Sequence, residues 1–287
     1  MTKANSMITI LGIESSCDDT SVSICQDKKI LSNIVSTQLI HKEYGGVLPE
    51  MASRKHLENI LPVFEESIQK AQISLQDIDA IAFTNQPGLL GSLLVGASFA
   101  KMLSLCLNIP LIAVNHIEAH ILSPLIENKA LTFPYLSLTA SGGHTQLTLC
   151  KDEDTLEVVG KTKDDAIGET LDKVGKMLGL PFPAGKYIDT LALKGNPDKF
   201  KFPIVNIENY DYSFSGLKTS ALYFLERNQA QNKNFIQENK EDICASFQNA
   251  IFETLLKKVF LYSQTHHIDT LCIAGGVASN TMLRKKV

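Results

Sequence analysis

Two histidines four positions apart, His116 and His120, are the residues of this sequence most able to do chemistry. The apolar stretch 111–114 reads as a buried strand that ends at Asn115, where a helix is predicted to begin. Residues four apart on a helix share one face with β-carbons about 5–6 Å apart, so that two imidazoles can bind one metal ion. The spacing alone is weak, because most such pairs lie on ordinary helices. The position directly after a buried strand strengthens the metal hypothesis.

Glu118, between the two histidines, has two interpretations. In zinc metallopeptidases the glutamate directly follows the first histidine, whereas Glu118 comes one residue later, about 200° around the helix from His116. Asn115 can cap the helix, and Glu118 at the third helical position can return a hydrogen bond, as in a capping box. We favour the cap over a catalytic base, which weakens a peptidase hypothesis.

Size and charge limit the possible functions. The chain has 287 residues, 44% of them hydrophobic and 20% charged, which is typical of a globular protein with one large domain or two lobes. Its net charge of −4 gives no overall attraction to nucleic acid, so RNA contact would need a local patch or a partner. Six scattered cysteines without a Cys-x-x-Cys pair predict reduced thiols and a cytoplasmic location. The apolar run 89–107 is interrupted by glycine, serine and lysine, so no membrane helix is predicted.

The predicted elements follow the same order twice. The first set has strands at 8–13, 21–25, 30–36, 80–83 and 111–114, with helices at 54–70 and up to about 107. The second has strands at 135–139, 146–150, 156–159 and 270–274, helices at 164–178 and 243–266, and a glycine- and proline-rich insertion at 181–209. This order predicts an α/β, actin-like two-lobe fold with duplicated mixed sheets flanked by helices. The expected lobes are 1–132 and 133–287, and we expect the lobe 133–287 to be truncated at its C-terminus.

Two diglycine turns are candidates for anion binding. Gly142 and Gly143 either form a hairpin that uses positive φ angles or present a nest of amides to phosphate or carboxylate oxygens. Gly275 and Gly276 follow a strand and precede a helix, a place where amides and the helix dipole favour an anion. Two diglycine turns at equivalent places in a nucleotide-binding type of architecture together favour binding of a nucleotide-like ligand. The aromatic segment 210–219 could be a packed loop or a nucleic-acid surface, and both options stay open.

Five motifs together resemble the TsaD (Gcp) family of bacterial and organellar tRNA threonylcarbamoyladenosine transferases. They are HKEYGGVLPE at 41–50, NHIEAH at 115–120, SGGHTQ at 141–146, YSFSGLKT at 212–219 and GGVASN at 275–280. Each motif is modest alone, but their order and the coverage of nearly the whole chain make the resemblance specific. Gln86 and Ala140 depart from residues common in the family, and we expect both changes to be tolerated.

The resemblance implies a reaction and a set of site residues. The threonylcarbamoyl group would move from threonylcarbamoyl-AMP to the exocyclic amine of the adenosine next to the anticodon, in tRNAs that read codons starting with A. His116 and His120 would bind one iron ion (zinc is possible), and the family's third protein ligand, an aspartate, is absent from this chain. The implied substrate-binding residues are Thr139, Ala140, Ser141, Gly142 and Gly143 around the acyl and phosphate groups, with Asp172, Gly185, Asp189 and Asn280 around the nucleoside.

The resemblance also implies partners. Besides tRNA and threonylcarbamoyl-AMP, these are a TsaB-like paralogue and a TsaE-like ATPase, with no membrane. Two alternatives remain at this point. One is a metallopeptidase, an older description of the family, which the displaced Glu118 argues against. The other is a non-catalytic actin-like scaffold, which the intact histidine pair argues against.

Overall fold

A computed structural model describes residues 7–128 and 130–287 and divides into two compact units, Met1–Ala119 and His120–Val287. The lobe boundary predicted from the sequence lies after residue 132 instead. The hydroxyl of Tyr135 donates a hydrogen bond to the carbonyl of Ile121 at 3.1 Å, which ties the segment before residue 133 to the second sheet. The division after Ala119 therefore falls inside a helix rather than at the proline-containing stretch that sequence composition suggested.

The first unit is built on a five-stranded mixed sheet. Its strands are β1 (Thr9–Glu14), β2 (Asp19–Gln26), β3 (Lys29–Thr37), β4 (Ala80–Gln86) and β5 (Leu111–Asn115), in the order β3-β2-β1-β4-β5. The strands β1, β2 and β3 pair antiparallel, whereas β4 pairs parallel with both β1 and β5. Because parallel strands end at the same edge of a sheet, the carboxyl ends of β1, β4 and β5 lie together.

Two long helices cover this sheet, after the short α1 (His41–Tyr44). They are α2 (Pro49–Ala71) and α3 (Leu90–Leu107), which pack on the sheet and on each other, with the rings of Phe64 and Phe99 5.4 Å apart. Helix α2 begins five residues before the predicted start at 54. Pro49 explains this difference, because a proline at the first helical position already has the required φ and loses no hydrogen bond.

Helix α3 is, within residues 7–128 and 130–287, the one helix long and apolar enough to cross a membrane by length and composition. Glycine, serine and lysine residues interrupt it, and for this reason no membrane helix was predicted. Two of these residues, Ser92 and Gly96, are buried in the structure, and a Cβ at Gly96 would clash with the hydroxyl of Ser15. The small residues therefore allow close packing on the sheet.

The second unit has a four-stranded sheet with the same plan. Its strands are β6 (Tyr135–Ala140), β7 (Thr145–Cys150), β8 (Leu156–Lys161) and β9 (Leu271–Ala274), in the order β8-β7-β6-β9. Strands β6, β7 and β8 pair antiparallel and β9 lies parallel to β6, which matches β1, β2, β3 and β4. The repeated order agrees with the duplicated mixed sheets predicted from the sequence.

Helices of the second unit pack around one large apolar core that includes the fully buried rings of Phe214, Phe247 and Phe252. They are α6 (Ile167–Met177), α7 (Gly185–Ala192), α8 (Ser215–Gln231), α9 (Phe235–His266) and α10 (Thr281–Lys286), after α4 (His116–Leu122) and α5 (Pro124–Glu127). Helix α7 lies within the predicted insertion, and α9 begins eight residues before residue 243, because residues 235–242 are mostly helix-forming but polar.

Of the two interpretations of the segment 210–219, the structure supports the packed loop and not the nucleic-acid surface. Tyr212 and Phe214 are 1% and 0% exposed, and Ser215 begins α8. Asp164 orders the start of this helix, because its carboxylate accepts hydrogen bonds from the backbone N–H groups of Phe214 and Ser215 at 2.8 and 3.2 Å. Neither of the two buried aromatic rings is available to stack on a nucleic acid.

Candidate functional site

The two histidines occupy the first and fifth positions of α4. Asn115 caps this helix as predicted, because its side-chain oxygen accepts hydrogen bonds from the backbone N–H groups of Ile117 at 2.8 Å and Glu118 at 3.3 Å. The predicted return hydrogen bond from Glu118 is not formed among the described residues, and its carboxylate is exposed. Asn115 alone therefore orders the first turn, and Glu118 does not complete the predicted capping box.

A carboxylate that the sequence analysis did not single out holds His116. Glu14 is the last residue of β1, and its Oε2 lies 3.0 Å from Nδ1 of His116, which directly follows β5. Thr84 on β4 donates its hydroxyl to the same oxygen at 2.6 Å, and the backbone N–H of Ser16 donates to the other oxygen. A carboxylate only accepts, so Nδ1 of His116 carries the proton and Nε2 keeps its lone pair in the neutral ring.

The Glu14 carboxyl remains ionised in this environment. Burial acts to raise its pKa, but the hydrogen bonds from His116, Ser16 and Thr84 outweigh burial and lower the pKa from 4.5 to about 2. An ionised acceptor is what keeps the proton on Nδ1 of His116. This pattern, a carboxylate behind a histidine, is common where the other ring nitrogen binds a metal ion.

Glu14 should make the folded protein sensitive to acid. Its pKa is lower in the folded chain than in the unfolded one, so its contribution is complete above about pH 4.5 and is lost as the pH falls towards about 2. We expect the stability advantage of the wild type over Glu14→Gln to shrink across this range. Urea unfolding of metal-free protein at several pH values measures it, and a constant difference between the two proteins would contradict the assignment.

The histidine pair has the donor chemistry of part of a metal site. Imidazole nitrogens suit iron and zinc, and the tautomer set by Glu14 leaves Nε2 of His116 able to coordinate. Within the described ranges, however, no group of three or more His, Cys, Asp or Glu side chains is placed to hold a metal ion. The donor chemistry of the pair fits such an ion, and further ligands would come from other groups.

A cavity of about 380 Å³ lies within the second unit. Four segments form it: the loop after β6, helix α6, helix α7 and the turn after β9. Five of the nine residues named as substrate contacts line it, namely Gly142, Asp172, Gly185, Asp189 and Asn280. The rest of the lining is Gly168, Leu171, Pro183, Lys186, Thr190, Gly276, Val277 and Ser279. Residues far apart in the sequence thus meet in one cavity, and their role in binding stays a prediction.

The two cavity carboxylates are held by protein N–H groups. Oδ1 of Asp172 accepts from the backbone N–H of Ala184 at 2.6 Å, and burial, which outweighs this hydrogen bond, raises the pKa of Asp172. The two oxygens of Asp189 accept from the side-chain amide of Gln248 at 3.2 Å and from the backbone N–H of Thr281 at 2.9 Å. Both carboxylates are fixed in orientation, and they make this part of the cavity rich in hydrogen-bond acceptors.

The first diglycine turn joins β6 and β7 in a hairpin, as one of its two interpretations predicted, but without positive φ angles. The loop between β6 and β7 spans residues 141–144 and closes with a 2.8 Å hydrogen bond from the N–H of Ser141 to the carbonyl of His144. Neither Gly142 nor Gly143 has a positive φ, so the conformational argument for them was wrong. Both glycines are exposed, and a Cβ at either position would meet nothing within 4 Å.

The second diglycine turn does require glycine, at its first position. Gly275 has φ +90° and ψ 168°, a conformation essentially confined to glycine, and a Cβ there would lie 2.5 Å from the carbonyl oxygen of Ala140. Gly276 has neither constraint and lines the cavity. Gly275 therefore lets β9 turn closely past the end of β6, and this turn brings Gly276 and Asn280 to the cavity.

The other residues named as substrate contacts lie beside the cavity and not on its wall. Thr139 and Ala140 are fully buried at the end of β6, and the Thr139 hydroxyl has no hydrogen-bond partner among the described residues. Ser141 and Gly143 belong to the loop that contributes Gly142. A direct contact between the Thr139 or Ala140 side chain and a ligand in this cavity would need the end of β6 to move.

Comparison with known proteins shows which family the chain resembles and supports the description of its fold. A family model described as TsaD, tRNA N6-adenosine threonylcarbamoyltransferase, matches residues 29–287. Proteins with that name are similar to the chain: one from Riemerella anatipestifer is 53% identical (96% of this chain, 82% of the relative), and one from Thermosipho africanus is 51% identical (96% and 83%). The activator of 2-hydroxyisocaproyl-CoA dehydratase from Clostridium difficile matches at TM-score 0.50 and 13% identity (98% and 84%). This likeness bears on the fold alone, and it agrees with the actin-like architecture.

Proposed function

Because this chain belongs to the tRNA N6-adenosine threonylcarbamoyltransferase family, we propose how its residues carry out the transfer to tRNA. In this proposal the second-unit cavity binds threonylcarbamoyl-AMP, and the amine of the tRNA adenosine attacks the carbamoyl carbon. AMP leaves with the electron pair of the broken C–O bond. The observation that carries the proposal is the meeting of Gly142, Asp172, Gly185, Asp189 and Asn280 in one cavity.

The chemistry of the cavity matches an adenylate. The carboxylates of Asp172 and Asp189 accept hydrogen bonds, and the donors of a nucleoside are its ribose hydroxyls and the adenine amine. The backbone amides of Gly142 and Gly276, two residues that line the cavity, are donors suited to phosphate and acyl oxygens. AMP is a good leaving group, so the protein's main tasks are to orient the acceptor amine and exclude water.

Metal dependence is a further part of the proposal. His116 and His120 would hold one ion, iron or alternatively zinc, with Glu14 keeping His116 in the required tautomer. When bound, such an ion supplies Lewis-acid polarisation of a carbonyl oxygen. What supports this part is the helical spacing of the histidines and the carboxylate behind one of them.

A transfer assay tests the function. The chain is incubated with threonylcarbamoyl-AMP, tRNA and the TsaB-like and TsaE-like partner subunits, and the tRNA nucleosides are then separated by mass. We expect threonylcarbamoyladenosine to form only when this chain is present. Cleavage of a protein substrate without modified nucleoside would support the metallopeptidase alternative, which the names of the relatives do not favour. A cytoplasmic location stays a prediction.

An exposed apolar face of the first unit supports the proposed TsaB-like partner. Helices α2 and α3 run side by side in the same direction, because Ser53 faces Gly91 at one end and Phe64 contacts Phe99 further on. Four leucines along this stretch are at least half exposed: Leu57 (66%), Leu61 (51%), Leu90 (74%) and Leu94 (56%). Several exposed leucines on two adjacent helices are the kind of apolar surface found at protein–protein interfaces.

Charges on this face should prevent assembly. We expect the double variant Leu57→Asp/Leu94→Asp to bind the TsaB-like subunit at least about 10-fold more weakly, because buried carboxylates would replace central apolar contacts. Calorimetric titration measures the affinity. Leu105→Asp is the matched control, since Leu105 is 81% exposed at the other end of α3. Equal affinities for the double variant and the wild type would place the partner elsewhere.

A further inference from the structure

Behind the cavity lies a buried amide that touches two of its lining residues. Gln248, on α9, is 1% exposed and does not line the cavity itself. Its Oε1 accepts a hydrogen bond from Nδ2 of Asn280 at 2.7 Å, and its Nε2 donates to Oδ1 of Asp189 at 3.2 Å. One side chain therefore connects the turn after β9 with α7, from which Asn280 and Asp189 reach the cavity.

The orientation of this amide is determined by its neighbours. Asn280 caps α10, and its Oδ1 accepts from the backbone N–H groups of Met282 and Leu283 at 3.0 and 3.1 Å. The NH2 group of Asn280 must therefore face Gln248, so the oxygen of Gln248 faces Asn280 and its NH2 group faces Asp189. A flipped amide would set an oxygen against the carboxylate of Asp189 and two NH2 groups against each other. All donors in this chain of hydrogen bonds consequently point towards Asp189.

Asp189 is left with unused acceptor capacity. Its oxygens accept one hydrogen bond each from Gln248 and Thr281, whereas a carboxylate can accept about four. The remaining lone pairs belong to a cavity-lining group held from behind on two sides. Neighbouring hydroxyl groups of a ribose ring are donors that could use these lone pairs, whereas a dideoxyribose lacks both hydroxyls.

We propose that Gln248 is a positioning residue that holds Asp189 and Asn280 so that the cavity selects a nucleotide with free ribose hydroxyls. This inference rests on the proposed function of the cavity. It assigns the selectivity to the geometry of the Asp189 carboxylate, and Gln248 acts only through the residues it orients. Selectivity for ribose over dideoxyribose should therefore depend on a side chain that the nucleotide does not touch.

The test measures the dissociation constants of AMP and 2′,3′-dideoxy-AMP by calorimetry. In the wild type we expect AMP to bind more tightly. Gln248→Met keeps the side-chain volume but removes both hydrogen bonds, and should weaken AMP about 10- to 100-fold, the range for a lost hydrogen bond to a charged group. The dissociation constant of 2′,3′-dideoxy-AMP should change by less than about 2-fold. The preference for AMP over 2′,3′-dideoxy-AMP should therefore be lost or strongly reduced.

Two further variants provide a second test of the inference and a matched control. Gln248→Glu retains the acceptor for Asn280 but sets a carboxylate against Asp189. It should therefore lose the same selectivity for AMP. If the methionine variant does not fold, the glutamate variant tests the inference in its place. Gln264→Glu is the matched control, the same substitution at an exposed position of α9. Equal losses for both nucleotides would reduce Gln248 to a packing role and overturn the inference. A wild type that binds neither nucleotide would instead refute the cavity's proposed function, and the inference with it.

Discussion

Replacing His116 with alanine should remove the bound metal ion and reduce transfer to tRNA by more than about 100-fold. The loss should exceed the roughly 10- to 100-fold effect of removing an orienting partner, because a ligand itself is lost. The fold should survive, since His116 is the first residue of its helix and its side chain is 22% exposed and outside the apolar core. Metal content by elemental analysis and modified nucleoside by mass spectrometry measure the two effects.

Two further variants serve as comparisons for His116→Ala. Glu14→Gln should lower metal affinity by an intermediate amount, about 10- to 100-fold, because the ring remains but its tautomer is no longer fixed. His267→Asn removes an exposed histidine at the end of α9, where φ is 55° and asparagine is tolerated, and should change neither quantity. Wild-type metal content in the His116 variant would refute the assignment of His116 as a ligand.

The second large effect concerns stability. Gly275→Ala should destabilise the protein by at least about 1–3 kcal/mol, the typical cost of a residue held in a conformation reserved for glycine. The added methyl group also meets the carbonyl oxygen of Ala140 at 2.5 Å, so β9 must shift away from the end of β6. Urea unfolding measures the change, and weaker binding of AMP should accompany it.

Gly276 provides the comparison one residue away. It has no positive φ and nothing within 4 Å of an added Cβ, so Gly276→Ala should leave stability unchanged or raise it by about 0.4–1 kcal/mol. Only stability is compared here, because Gly276 lines the cavity. Similar destabilisation in both variants would show that the turn as a whole, and not the conformation of Gly275, matters.

Much of the fold could be predicted because the strands have strong patterns. The nine strands observed in the described residues correspond to the nine expected from apolar runs, with ends shifted by a few residues. The family was predicted correctly from motifs, since several short matches occur in the right order. The start of α9 was placed too late, because apolar spacing marks where a helix is buried and not where it begins.

The parts of the site that sequence reasoning missed depend on contacts between distant residues. Glu14 and His116 are 102 positions apart, and nothing around Glu14 distinguishes it from any acid at a strand end. Gln248 resembles an ordinary helix-forming residue, and its importance arises from Asp189 and Asn280, which only the fold brings near it. The φ angles of Gly142 and Gly143 were mispredicted because a four-residue loop replaces the assumed two-residue turn.

The shared strand order of the two sheets has an evolutionary consequence. The equivalent strands β1 and β6 end differently: β1 ends at the carboxylate of Glu14, whereas β6 is followed by a loop that contains the exposed Gly142 and Gly143. A function that depends on a carboxylate can be lost by a single substitution, whereas backbone amides persist through most changes of residue type. Random substitution should therefore remove the carboxylate at the end of β1 sooner than the backbone amides of the loop after β6.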